Sequence, residues 1–324
     1  MPVPNLGQTV AMAWEAHVGT TPEDNIHNDY WLFNQLSEGK SFEQVDGGRT
    51  INGPIEYALN TTVKSYSDTE QIDTTRIDVF DEFQYVWKEY AGTVVMSELE
   101  KAKNQGEGRK FNLLEAKLEN LKNSFKKKLN DDFFSDGTGN NSKDMGGLAL
   151  IVSATPTTGT VGGINRATFT FWRNQQASGA QSTSAFDNLR ATMRTQYNNA
   201  SAGIDSLHPD YAVTTQTVLE GYEALLIANE RVPEKTKSTA NAGFKNSWFM
   251  FKDIPLSYDR ACPAGLMYLL NYRNLKLAYL KGEWMKGFPA IEPANQTIEV
   301  FKVITQANLF STNPRRLAVL TAIT

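Results

Sequence analysis

The chain is nearly without the residues from which metal and redox sites are built. It holds one cysteine, Cys262, and three histidines, His17, His27 and His208, in 324 residues. A single cysteine excludes an intrachain disulfide and any multi-cysteine metal site, and it suits a reducing compartment. The histidines stand far apart, none with metal-ligand spacing, and such lone histidines are expected to be structural or on the surface. Long apolar runs are missing too: none approaches the ~20 residues of a membrane span. The opening MPVPNLGQTVAMAWEAHVG has no basic leader region and carries Glu15, so it does not read as a signal peptide. Neither charge dominates. The 32 basic and 36 acidic residues leave a net −4, which supplies no global field for nucleic acid or an anionic membrane. No internal repeat of fixed period is present.

Catalytic signatures are absent in the same way. There is no Gly-x-Ser-x-Gly elbow and no His-Glu-x-x-His. GTVGGIN is glycine-rich, but no Gly-Lys-Ser/Thr follows, so it is not a phosphate loop. DDFFSDGTGNNSKD places Asp132, Asp136 and Gly137 at calcium-loop positions, yet Phe134 and Lys143 stand where ligands are required. The pair Asp131-Asp132 sits at a helix end, where solvation is the default. Cys262, in RACPAG, reads as a small buried hydrophobe. No catalytic residue, metal ligand or cofactor site is assigned, and an enzyme is not expected.

What is present is scaffold. Hydrophobic residues make up 40% and aromatics 11%, enough to build one large or two ordinary domains. INGPIEYALNTTVK, Ile51 to Lys64, and RIDVFDEFQYVWK, Arg76 to Lys88, alternate apolar and polar residues. Every second position carries Ile55, Tyr57, Leu59, Thr61, Val63 and then Ile77, Val79, Asp81, Phe83, Tyr85, Trp87. Period two predicts a strand pair. The polar connection SYSDTEQIDTT is too long for a tight hairpin turn. The pair reads either as an ordinary sheet with an inserted loop, or as a projecting arm that packs on another subunit and gains there the burial that two strands alone lack.

Before the arm, Ala11 to Val18 and Asn28 to Gly39 read as short helices, the second capped by Asn28 and stopped by Gly39, with Gly47-Gly48 breaking the chain. After it, residues 89–105 read as a helix ended by Gly106 and Gly108. Phe111 to Phe134 is the best helix of the sequence, with Leu114, Leu118, Leu121, Phe125 and Leu129 on one stripe and an exit at Ser135-Asp136-Gly137. From Arg109 to Asp132 it carries seven basic and four acidic residues. Lys126, Lys127 and Lys128 read as a solvated face or as a face turned toward nucleic acid. Residues 137–181 are rich in Gly, Thr, Ser and Asn and mark a boundary. Ser182 to Ala200 is a helix with a Ser184–Asp187 capping box, Asp210 to Thr215 a buried strand, and Gln216 to Asn229 a helix. Strands then alternate with turns, and the end reads as two covered strands around Asn313-Pro314.

GGRTINGPIEYALNTTVKSYSDTEQI, the long helix into DDFFSDGTG, and GGLALIVSATPTTGTVGGINRATFTFWRNQ resemble the major capsid proteins of tailed bacteriophages, with Gly162 to Asn174 the most distinctive stretch. The resemblance implies an α+β architecture, the HK-ninety-seven-type capsid fold. Its parts would be an N-terminal arm (1–48), an extended β-hairpin loop (49–88), a peripheral domain with a long spine helix and a glycine-rich loop (89–180), an axial α/β domain (181–296) and return strands of the peripheral domain (297–324). It implies a non-enzymatic shell protein that meets itself in pentamers and hexamers, assembled in the cytoplasm of a bacterial host and residing in the virion. Ile55, Tyr57, Leu59, Val63, Ile77, Val79, Phe83 and Tyr85 would contact a neighbouring subunit, and Lys126, Lys127 and Lys128 would face the lumen and touch packaged DNA without sequence preference. A separate scaffolding protein or an already removed segment, a portal and a decoration protein are the further implied partners. The type member cross-links itself through a loop lysine. Here Lys64 is the lone lysine between Arg49 and Trp87, and cross-linking is not expected. Two other readings stay open: a hydrolase or transferase with a dispersed site, and another virion part such as a decoration or tail protein.

Overall fold

A computed structural model describes residues 30–104, 113–177, 186–201, 208–229, 249–252 and 254–323. The expected helix at Ala11–Val18, the caps at Asn28 and Ser184, the stops at Gly106 and Gly108, and His17 and His27 lie outside these residues.

In chain order the elements begin with α1 (Trp31–Glu38), β1 (Phe42–Val45), β2 (Thr50–Glu56), β3 (Phe80–Val86), β4 (Lys88–Ser97), α2 (Glu98–Lys103) and α3 (Leu113–Phe133). The middle holds α4 (Leu148–Ile151), β5 (Thr160–Val161), β6 (Ile164–Asn165), β7 (Gln175–Ala177), α5 (Phe186–Ala200), β8 (Tyr211–Thr214) and α6 (Gln216–Asn229). The last part holds β9 (Phe249–Phe251), β10 (Ile254–Tyr258), β11 (Met267–Leu270), β12 (Leu275–Leu280), β13 (Lys286–Gly287), β14 (Ile298–Ser311) and β15 (Ala318–Leu320).

Two sheets organise them. In the first, the 14-residue β14 pairs with β4, β12 and β13, and β1 adds in parallel to β12. The second has the order β7-β15-β11-β8-β10-β9. Helix α3 lies on the first sheet. It runs about 31 Å at ~1.5 Å per residue and buries Leu113, Phe125, Leu129 and Phe133, whereas Leu114, Leu118 and Leu121 of the expected stripe are half-buried. Gly92 of β4 lies beneath it, where a Cβ would stand 2.7 Å from both Leu121 and Phe125. Any larger residue there would force those side chains to shift. Helices α5 and α6 pack on the second sheet, burying Leu189, Met193, Val218, Leu219 and Tyr222 against Leu256 and Leu269. Each such side chain contributes roughly 1.5–3 kcal/mol.

Two expectations need correction. Residues 89–105 are not one helix: Lys88 to Ser97 form a strand and only Glu98–Lys103 is helical. Thr93, Val94 and Val95 are stiff at Cβ and suit a pleated surface, and ten of these residues pair with β14, from Lys88↔Ala307 to Ser97↔Ile298. Ser97 then caps α2 in a capping box with Glu100. The described part of the expected N-terminal arm, from Tyr30 onward, packs on the body. Leu32, Phe33 and Leu36 of α1 are buried in the main core, and β1 extends the first sheet. Finally, the last two strands do not return together. After β14 the chain makes a short 3-10 helix, Pro314–Arg316, headed by Asn313, whose Oδ1 accepts from the Arg315 N–H at 3.2 Å. It then crosses to the second sheet, where β15 lies between β7 and β11.

One buried carboxylate joins these layers. Asp259, 0% exposed, accepts from the Leu32 N–H of α1 (3.1 Å), from Asn130 Nδ2 of α3 (2.9 and 3.0 Å) and from the Ala261 N–H (2.9 Å). Asn130 Oδ1 in turn accepts from the Phe33 N–H at 3.0 Å. Two of the first N–H groups of α1, which no turn of the helix can satisfy, therefore find partners across the core.

Candidate subunit interface

The arm is a two-stranded ribbon, β2 against β3, with pairs from Thr50↔Val86 to Glu56↔Phe80. The Tyr57 N–H adds one more bond, to the Val79 carbonyl at 3.0 Å. The strands are thus shorter than expected. Residues 58–78 form no strand and are shaped by side-chain turns: Asn60 accepts from Thr62, and Asp73 from Thr75. Those bonds hold the Asp73 carboxyl below its ordinary value.

The alternation is real, but its inner face serves this subunit. Phe83 and Tyr85, 4% and 7% exposed, belong to the main core. Phe83 stacks on Trp172 at 6.1 Å and packs on Phe310 at 5.9 Å. It lies over Gly53, its ladder partner, where a Cβ would stand 2.4 Å from the ring. Burial pushes the Tyr85 hydroxyl well up. Their expected role as contacts to a neighbour is therefore corrected. Ile55 packs partly on the same core, and Tyr57 stacks on Phe171 at 5.4 Å. Ile77 and Val79 are half-buried. Of the eight residues assigned to the interface, Leu59 and Val63 remain as open apolar surface, at 82% and 83% exposure. Tyr66, Ile72, Phe80 and Val86, not among the expected eight, are exposed as well. Phe80 and Val86 share the parity of the outer face of β3, so they were legible once the inward parity was known; period two alone leaves that choice open.

The segment from Gly162 to Asn174 lies under the root of the arm. Trp172 Nε1 donates to the Val161 carbonyl at 2.9 Å, and the Gln84 N–H donates to the Gly162 carbonyl at 2.9 Å. Arg166 is buried and donates to the Ile151 carbonyl; burial pulls its guanidinium down to about 10.

The basic face of α3 is largely neutralised. Lys127 pairs with Asp131 at 3.1 Å. Lys128 pairs with Asp132 at 2.6 Å and Asp144 at 3.2 Å. Burial pulls the Lys128 ammonium down, but these two bonds outweigh it and leave the group raised. Burial raises Asp132 against the pull of Lys128 and of Tyr90, whose hydroxyl donates to it at 2.7 Å. Lys126 stands 5.5 Å over the Tyr30 ring. Two of the three lysines are thus engaged with carboxylates of their own subunit, which leaves little free charge for a polyanion.

Other singled-out residues are accounted for locally. Cys262 is buried, and burial pushes its thiol up. His208 stacks on Tyr197 at 5.7 Å. Asp136 accepts from the Thr138 N–H and hydroxyl. Glu98, Glu292 and Glu299 gather their carboxylates, with Lys101 paired to Glu98 and Glu299 among them. Lys64 is exposed on the outer loop.

No family model matches the chain, and no curated protein matches it. Solved structures do. The capsid asymmetric unit of cyanophage A-1(L) is similar over 96% of this chain and 97% of its own, with a TM-score of 0.69 at 15% identity. The capsid of the native GTA particle is similar over 96% and 95%, with a TM-score of 0.65 at 10% identity. The SrpI encapsulin complex of Synechococcus elongatus is similar over 100% and 96%, with a TM-score of 0.59 at 12% identity. The α+β fold is the HK-ninety-seven-type capsid fold.

Proposed function

We propose that the chain is the major capsid protein of a tailed bacteriophage, assembling into pentamers and hexamers of an icosahedral shell around double-stranded DNA. The observation that carries this reading is the arm: a ribbon rooted in its own core that holds Leu59, Val63, Tyr66 and Ile72 in water. A monomer gains nothing from that exposure, while a neighbour covering it gains apolar burial. The end-to-end likeness to capsid chains supports the same reading. The protein would be structural rather than catalytic, assembled in the host cytoplasm and carried in the virion, with a scaffolding protein, a portal and a decoration protein as further partners. Lys126 would be the lysine of its trio best placed to meet DNA.

The test is expression of the full chain, alone and with a scaffolding protein, followed by negative-stain microscopy and nuclease treatment of virions. Closed shells and protected duplex DNA are the expected result. Likeness to the SrpI encapsulin complex favours a second reading, a closed shell that is not a virion, and closed particles from the source that contain no DNA would select it.

The shell should be held without covalent links between subunits. A self-formed amide bond needs a desolvated lysine of lowered pKa beside a carboxylate, and Lys64 lies in water. Particles boiled in detergent and reductant should run as one band near 36.1 kDa. A ladder of higher bands would contradict this and direct attention to Lys64.

A further inference from the structure

One ammonium serves two carboxylates at the end of α3. Lys128 Nζ lies 2.6 Å from Asp132 of its own helix and 3.2 Å from Asp144, which the chain brings back from the loop 137–147. The Asp132 and Asp144 side chains are 5% and 13% exposed. Tyr90 of β4 completes the group: its hydroxyl donates to Asp132 at 2.7 Å and accepts from the Met145 N–H at 3.0 Å. Lys128, Tyr90 and Asp144 are the titratable groups that act on Asp132. Around them, Lys88 of β4 donates to the Ser142 carbonyl at 2.6 Å, Asp131 is paired with Lys127, and Asp136 and Lys143 of the loop are exposed. Two carboxylates against one ammonium leave a surplus negative charge, which a site turned away from water holds at a cost.

The loop that carries Asp144 is wound against the usual hand. Asn140 (φ 49°, ψ 46°), Asn141 (φ 56°, ψ 45°) and Ser142 (φ 63°) are successive left-handed residues with no glycine among them. A Cβ disfavours this conformation, and single residues rather than runs adopt it. Such a run persists only while its surroundings hold it. Here it is held by Lys88 on the Ser142 carbonyl, by Lys128 on Asp144 and by Tyr90 on the Met145 N–H. Lys88 follows Val86, the end of β3, by two residues, so the loop ties the root of the arm to the end of α3.

We propose that residues 137–147 form a latch that closes on the end of α3 with the uptake of one proton, shared by Asp132 and Asp144, and loosens when that proton leaves as the pH rises. Opening carries Asp144 away from Asp132 and admits water to it. The causes that raise the Asp132 carboxyl, burial first and the Asp144 charge behind it, therefore fade in the open form. A carboxyl raised on closing binds its proton more firmly closed than open, so closure is favoured below the raised value and weakens as the pH climbs through it. The latch goes beyond the shell reading and does not depend on it, because all of its groups lie within one subunit.

The test is hydrogen exchange of the full, unassembled chain, with amide rates corrected for the intrinsic effect of pH. The Asp144 and Met145 amides, bonded to the Gly139 carbonyl and the Tyr90 hydroxyl, report the closed latch. Their opening should be roughly threefold or more greater at about pH 8 than at about pH 5, while amides within β14 keep one value. This comparison needs no variant. Asp144→Asn removes the surplus charge and keeps the shape, so its loop should be equally protected at both pH values. Lys128→Met leaves both carboxylates without their cation and should open the loop roughly tenfold further than in the parent at the higher pH. Asn141→Ala places a residue that resists the left-handed region in the turn and should loosen the loop at both pH values. Circular dichroism checks that each variant folds. Equal opening of the parent loop at the two pH values overturns the latch, and so does a pH dependence that survives Asp144→Asn. A Lys128→Met loop as protected as the parent's at the higher pH, or an Asn141→Ala loop no looser than the parent's, also counts against it.

Discussion

Replacing Phe83 by Ala should destabilise the isolated subunit by about 3–5 kcal/mol, whereas replacing Leu59 and Val63 by Ser should leave its unfolding curve in place and stop shells from forming. The two changes lie on one ribbon, and their consequences differ because the inner face of the ribbon is already filled. Phe83 is ringed by Trp172, Tyr85 and Phe310 and lies over Gly53, so truncation leaves a cavity that none of these rigid rings can close. Leu59 and Val63 touch water over four-fifths of their surface, and surface substitutions of this kind usually stay within about 0.5 kcal/mol. Denaturant melts of the unassembled chain, set beside negative-stain images of the assembly reaction, read both effects. An unfolded Leu59→Ser, Val63→Ser variant would place the outer loop in the folding core. A Phe83→Ala variant as stable as the parent would mean that the ribbon is not anchored as described.

Asp259 should be as sensitive as any position in the subunit, and its isostere should not rescue it. Every partner named above for its carboxylate is a donor: the Leu32 and Ala261 N–H groups and the Asn130 amide. Asp259→Ala leaves three donors buried without an acceptor. At roughly 1–3 kcal/mol per unsatisfied group, the loss is about 3 kcal/mol or more. Asp259→Asn keeps the shape but turns an NH2 toward other donors, so it also destabilises. A surface carboxylate such as Asp46, at 82% side-chain exposure in its pair with Lys281, is the control and should change little when replaced by Asn. Thermal melts of the three variants decide it, and an Asp259→Asn variant that melts with the parent would sink the account of the buried node.

The sequence by itself determined the local elements whose periodicity is long and consistent. α6 occupies the expected Gln216–Asn229, α3 fills most of the expected span, and β8 is buried throughout as its apolar run requires. It also determined that a strand pair lies within 51–88, since period-two alternation suits no helix, although not that 58–78 form no strand. Tertiary structure decided what periodicity cannot express. Ten backbone pairings with β14 made residues 88–97 a strand against a local sequence that also reads as a helix, because a ladder of that length outweighs propensities of a few tenths of a kcal/mol per residue. The core decided which parity of the ribbon turned inward, drawing in Phe83 and Tyr85 and leaving Phe80 and Val86 outside. The pairs Lys127–Asp131 and Lys128–Asp132 follow from helical i,i+4 spacing, whereas the second partner of Lys128, Asp144, could not be assigned from spacing because the chain returns to the helix through the Gly137 turn. Crossing from one sheet to the other at Pro314 placed Arg315 beside the end of α5, over a hundred residues earlier in the chain. A cleft made from such distant segments has no signature in sequence order, because its spacing is set by packing rather than by the chain.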